Sequence, residues 1–212
     1  GRGERGGAGE AEGARRVSVL GCRGGLGRGR ARVRYGAWLG AVKPKLGTEC
    51  WQLKDLRHPL LVWQERQEAG TAVVPVSLQI EPPLRVVAIT GPNTGGKTVT
   101  LKSLGLATLM ARTGLFLPCS GTPQLPWCEA VLADIGDEQS LQQNLSTFSG
   151  HVRRIARILE ALSSLGAAPV PALVLLDEVG AGTDPSEGAA LATALLRHLA
   201  DQVQLSIATT HF

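Results

Sequence analysis

Short apolar runs and helical periodicities alternate along most of the chain. LRVVAIT (84–90) is a largely aliphatic run entering a glycine-rich turn, which predicts a strand. In TVTLKSLGLATLMART (98–113) the residues Val99, Leu101, Leu104, Leu109 and Met110 recur at helical intervals and predict a helix. EAVLADI (129–135) reads as another strand, and from Phe148 onward Val152, Ile155, Leu159 and Leu162 mark one face of a second helix. ALVLLDE (172–178) is a buried strand ending in two acids. SEGAALATALLRHLA (186–200) is an Ala/Leu helix, and QLSIATTH (204–211) a final strand. Apolar strands separated by helices predict an α/β fold, a mostly parallel sheet flanked by helices.

The 212 residues are 43% hydrophobic and 19% charged, enough for one sizeable core. No run approaches the roughly 20 apolar residues of a membrane span, and GRGERGGAGE lacks the apolar centre of a signal peptide. Cys22, Cys50, Cys119 and Cys128 form no CxxC pair and no zinc spacing with histidine. A soluble protein of a reducing cytoplasm, with no membrane partner, is the expectation. The net charge of +4 is uneven: residues 1–50 hold 11 Lys+Arg against 4 Asp+Glu and 14 of the 27 glycines. A stretch such as GCRGGLGRGRARVR neither buries apolar surface nor propagates a helix cheaply, so residues 1–30 are expected to be disordered. This basic segment has two readings, a phosphate-binding tail or an incidental extension. In ARVRYGAWLGAV a short amphipathic helix is expected, with Val33, Trp38 and Val42 on related faces.

The chemistry begins at Gly91. GPNTGGKT, comprising Gly91, Pro92, Asn93, Thr94, Gly95, Gly96, Lys97 and Thr98, fits the phosphate-binding loop G-x-x-x-x-G-K-[ST] without a mismatch. Its glycines let backbone N–H groups point at phosphate oxygens, the following helix adds its positive end, Lys97 reaches the β- and γ-phosphates, and Thr98 holds Mg²⁺. Asp177 stands where such enzymes hold Mg²⁺, and Glu178 follows where it orients an attacking water as general base. ATP with Mg²⁺ is therefore the expected ligand pair.

Three further segments narrow the class. GAGTDPSEGAALATALL, with Asp184 inside it, resembles the D-loop of the ATP-binding-cassette superfamily. His211 ends the last strand where that superfamily keeps a γ-phosphate-sensing histidine. STFSGH (146–151) opens a helix whose first amides can meet an anion.

Together, GPNTGGKTVTLKSLGLATLMARTGLFLP, IGDEQSLQQNLSTFSGH, LVLLDEVGAGTDPSEGAAL and the TTH ending resemble the carboxyl-terminal ATPase domain of MutS proteins, closest to the bacterial MutS-two subfamily. The resemblance covers residues 51–212, starting near LRHP (56–59), with residues 31–50 a possible remnant of a preceding core or lever helix. It implies that Val73 and Val74 flank the adenine, although VVPVSL also reads simply as an edge strand. It further implies that Asn93 and Lys97 hold phosphates, that Gln139 occupies the Q-loop, and that Ser146 and Thr147 belong to a signature completing the partner's site. A homodimer with two composite ATP sites follows from that reading. The subfamily's cargo is branched or mismatched DNA, in repair and suppression of homologous recombination, or collided ribosomes through rRNA. The chain stops at Phe212, soon after the expected sensor histidine and without the subfamily's Smr nuclease domain, so nuclease action is not expected. The alternative is a truncated nucleotide-binding module with negligible turnover.

Overall fold

The computed structural model describes residues 29–67, 72–92, 96–136, 147–166 and 168–211. In chain order these form α1 (29–39), β1 (Lys45–Leu46), β2 (Trp51–Leu56), α2 (Pro59–Gln67), β3 (Val76–Ile80), β4 (Val86–Thr90), α3 (Lys97–Arg112), β5 (Ser120–Leu125) and β6 (Ala130–Asp134). They continue with α4 (Thr147–Ser164), β7 (Val170–Leu176), α5 (Pro185–Gln202) and β8 (Val203–Thr210).

One sheet has the order β4-β8-β7-β6, and every pair in it is parallel. The continuous apolar run of β7 follows from its central place. Leu173 and Leu175 enter a core shared with α3, whereas Val170, Ala172, Val174 and Leu176 enter a second core with α4 and α5. A strand covered on both faces has no polar side to show, so it reads as a run and not as an alternation. α3 lies close enough for a side chain on Gly105 to meet Leu175 Cδ1 at 2.7 Å.

The chain's alternation did not foretell the second sheet, β1-β5-β2-β3, in which β2 runs antiparallel to both neighbours. Its strands are short, and Trp51, Leu53 and Leu56 of β2 join Leu101, Leu104 and Met110 of α3 in the same core. α3 is thereby buried against both sheets. β3 is an edge strand, but it starts at Val76, beyond Val73 and Val74. Leu39 of α1 also joins this core, and Val42 bridges Leu117, so residues 39–46 pack with the rest.

Several of the apolar positions that the spacing marks lie outward. Val33 and Trp38 are exposed and Leu39 is buried instead, because α1 docks through Gly36, where an added Cβ would stand 3.2 Å from Phe116. Trp38 stacks on Tyr35 and lies under the Arg66 guanidinium. On α3, Val99 and Leu109 face outward while Ser103 and Thr108 are buried. The Thr108 hydroxyl donates to the Leu104 carbonyl at 2.9 Å, which lets a small polar residue occupy a tight interior position. On α4, Val152 is exposed and Ile158 takes the interior place. The predicted strand over 172–178 ends at Leu176, so both acids lie just past it. Among the described residues no helix is long and apolar enough to cross a membrane. The disorder expected for the N-terminal segment concerns residues 1–28 almost entirely, which lie outside the described residues.

Candidate functional site

Parallel pairing makes all four strands of the central sheet end at one edge. Thr90 pairs with Thr210, Leu176 with Ala208 and Asp134 with Leu176. Gly91 and Pro92 after β4, Asp177 and Glu178 after β7, and His211 after β8 therefore emerge together.

The loop before α3 suits an anion. Gly91 and Gly96 have φ of 139° and 73°, conformations that disfavour a side chain, and the space at each Cβ position is open. Gly96 occupies the N-cap of α3 and gives no side-chain cap, which leaves the first N–H groups available to a ligand. Lys97, at 6% exposure, donates from Nζ to the Gly91 carbonyl, and among the described residues it pairs with no carboxylate. A buried ammonium costs several kcal/mol when uncompensated, more than one neutral carbonyl returns, so the position fits a ligand that brings negative charge. Thr98 follows on the first turn, half-buried. Asn93, Thr94 and Gly95 lie outside the described residues.

Thr209 organises the acids, and sequence reasoning missed it. Its buried hydroxyl donates to Asp177 Oδ1 and accepts the Glu178 N–H at 2.8 Å, while its carbonyl accepts the Val179 N–H at 3.0 Å. Glu178 has φ of 51°, left-handed for a residue with a Cβ, a strain on the order of 1–2 kcal/mol that these bonds offset. The turn sends the Glu178 carboxylate outward, where Oε1 lies 3.2 Å from His211 Nε2. Asp177 stays buried, with Oδ1 engaged by Thr209. A threonine inside SIATTH, next to the strand's end and at a position that proves buried, was the available signal.

A second unforeseen group lies beside these acids. Asp134, at the end of β6 and only 2% exposed, takes His151 Nδ1 on Oδ2 at 2.6 Å and the Arg154 guanidinium on Oδ1. Its carbonyl accepts the Asp177 N–H at 2.8 Å.

The remaining expected positions divide. Asp184 caps α5: its Oδ1 accepts the Ser186 N–H at 2.9 Å and the Glu187 N–H at 3.4 Å. The Ser186 hydroxyl first and then these amides hold its carboxyl below the usual range. Gly182, in the same loop, packs on Phe148 at the start of α4, 3.4 Å from an added Cβ. Val73 packs against the main core and Val74 stands 79% exposed. Gln139 and Ser146 lie outside the described residues; Thr147 opens α4, its side chain outside them too.

A parallel sheet whose carboxyl edge carries a glycine loop, a buried lysine and paired acids defines an α/β domain of the P-loop nucleotide-binding type. A family model described as MutS domain V matches residues 87–212, and the chain belongs to that family. It is similar to the Endonuclease MutS2 of Synechocystis sp., 60% identical over 199 residues covering 86% of this chain and 24% of that protein. The Endonuclease MutS2 of Shouchella clausii is 46% identical over 183 residues, 86% of this chain and 22% of that one. That of Thermomicrobium roseum is 50% identical over 161 residues, 76% and 19% respectively. The chain thus spans about a quarter or less of the length of these relatives.

Proposed function

We propose that this domain binds ATP with Mg²⁺ and hydrolyses it as the ATP-binding-cassette-type motor of a MutS2-like protein, two copies sandwiching two nucleotides. The observation that carries the reading is the Thr209-held turn, which presents Glu178 beside His211 at the edge where the Gly91–Lys97 loop leaves β4. In it, residues 91–98 cradle the phosphates, which supply the negative charge that the buried Lys97 ammonium calls for. Thr98 and Asp177 would hold Mg²⁺, whose charge offsets that of the phosphates when bound. Glu178 accepts a proton from the attacking water, and His211, one hydrogen bond away, orients that carboxylate and would sense the γ-phosphate. Gln139 occupies the Q-loop, Asp184 the D-loop, Val73 and Val74 the adenine side, and Ser146 with Thr147 completes the partner's site.

The cargo proposed for the longer machine is DNA, branched or mismatched, in repair or restraint of recombination; ribosomes are the second candidate. The relatives are named endonucleases; the proposal assigns nucleotide turnover to this segment and no nuclease step.

The test is ATP hydrolysis against protein concentration, with sedimentation under ATP and Mg²⁺, for the chain and its Glu178→Gln variant. The expected outcome is turnover rising with the square of concentration in the parent. In the variant we expect a loss of roughly 10²–10⁴-fold with nucleotide binding retained and a trapped dimer. Nucleotide binding with flat, negligible turnover in the parent would replace the motor by a binding module.

A further inference from the structure

We propose that Asp134, His151 and Arg154 form a positioning clamp that holds the metal-binding Asp177 in place from α4; the inference rests on the nucleotide reading above. Asp134 works through two different parts. Its carboxylate is tied to α4, with one oxygen on His151 Nδ1 at 2.6 Å and the other on Arg154. Its main-chain carbonyl is tied to Asp177, whose N–H it accepts at 2.8 Å. At such a distance from a carboxylate oxygen Nδ1 must carry the proton, so Arg154 Nη2, 3.3 Å from that same nitrogen, is a neighbour and not a donor to it.

The arrangement makes Asp177 dependent on α4. The Asp134 side chain is 3% exposed, whereas those of His151 and Arg154 are 15% and 42% exposed. A carboxylate so buried is tolerated only while its charge is met, and that cost outweighs a single main-chain hydrogen bond. When both α4 partners are removed, the end of β6 shifts to let Asp134 reach water, and the Asp177 amide loses its acceptor. Asp177 is then held from the β8 side alone, through Thr209. The same first turns of α4 touch Gly182 through Phe148, so α4 is in register with the loops on both sides of the acids. His151 is the last residue of STFSGH, and this contact gives that position a task within its own subunit.

A positioning role predicts a metal defect without a nucleotide defect. Mn²⁺, read by electron paramagnetic resonance, serves as the probe on the ATP-loaded chain, and ATP affinity is measured separately in EDTA. For the His151→Ala/Arg154→Ala double variant we expect Mn²⁺ affinity about tenfold lower, with ATP affinity in EDTA within twofold of the parent. His151→Asn, which restores a side-chain N–H donor, should recover most of the loss. Arg154→Ala alone, altering a half-exposed side chain, gives the reading if the double variant does not fold, with a loss of about threefold expected. Parent-like Mn²⁺ affinity in a folded variant, or equal losses of Mn²⁺ and ATP, overturns the clamp while leaving the nucleotide site standing. A parent chain that takes up neither ATP nor Mn²⁺ overturns the nucleotide reading and the clamp with it.

Discussion

Thr209 makes three hydrogen bonds to the segment Asp177–Val179, two through its hydroxyl and one through its carbonyl. Only the hydroxyl pair is removable by substitution. Thr209→Val keeps the shape and the β-branch but strands the Glu178 N–H and Asp177 Oδ1, a loss of about 1–3 kcal/mol. In a domain of this size that lowers the melting temperature by roughly 2–4 °C per kcal/mol. Hydrolysis should fall at least about tenfold, because the strained turn at Glu178 loses the bonds that over-determine it. Thr209→Ser retains the hydroxyl and should retain most of both quantities, so the pair of variants separates hydrogen bonding from packing. Differential scanning calorimetry and steady-state turnover check the two halves.

At the scale of elements, α5 begins at a sequence-coded cap and α3 at a glycine that leaves room for a ligand. The Asp184 carboxyl is held below its ordinary range by Ser186 and the first amides, so its contribution to stability is fully present above about pH 4. It is lost as pH falls through the lower folded value. Asp184→Asn caps without titrating, and its melting temperature should therefore decline less steeply on acidification than the parent's. The close approach of α3 to β7 gives a second test. Gly105→Ala places a Cβ 2.7 Å from Leu175 Cδ1 and should destabilise the parent, although alanine is the better helix former by about 1 kcal/mol. Leu175→Ala removes the obstructing methyls and should cost about 2–5 kcal/mol by itself. In that background Gly105→Ala should become stabilising, a reversal of sign that chemical denaturation of the four proteins would detect.

At the scale of the molecule, one core joins the antiparallel sheet to α3 and to Leu173, Leu175, Leu205 and Ile207 of the parallel sheet. The second sheet is therefore continuous with the nucleotide-binding half. Unfolding followed by the fluorescence of Trp51, buried on β2, should coincide with unfolding followed by far-UV circular dichroism. To isolate Trp51, the exposed or half-exposed Trp38, Trp63 and Trp127 are replaced by phenylalanine. Two separated transitions would show the sheets to be independent units.

The parallel half was legible because each signal there is local. Two-sided burial of β7 writes a continuous apolar run, and a phosphate loop must place its glycines and lysine at fixed spacings between a strand and a helix. The paired acids were legible for the same reason, being adjacent in sequence at the end of that run. Three other things depend on partners far along the chain. β2 pairs antiparallel with β3 and β5, bringing Gln52 beside Gln79 and Gln124, which lie far from it along the chain. Which faces of α1, α3 and α4 are buried depends on what packs against them, as Phe116 does against Gly36, so hydrophobic spacing alone did not foretell the exposure of Val33, Trp38, Val99, Leu109 and Val152. Thr209 and the group of Asp134, His151 and Arg154 serve acids 32 and 43 positions away from Thr209 and Asp134 respectively, counting Asp177 in both cases. The sequence by itself determined the glycine-and-lysine loop between β4 and α3 and which acids follow the central strand, since covalent neighbours build both. Tertiary structure alone decided what holds those acids, because parallel register is the only thing that brings the ends of β6, β7 and β8 side by side.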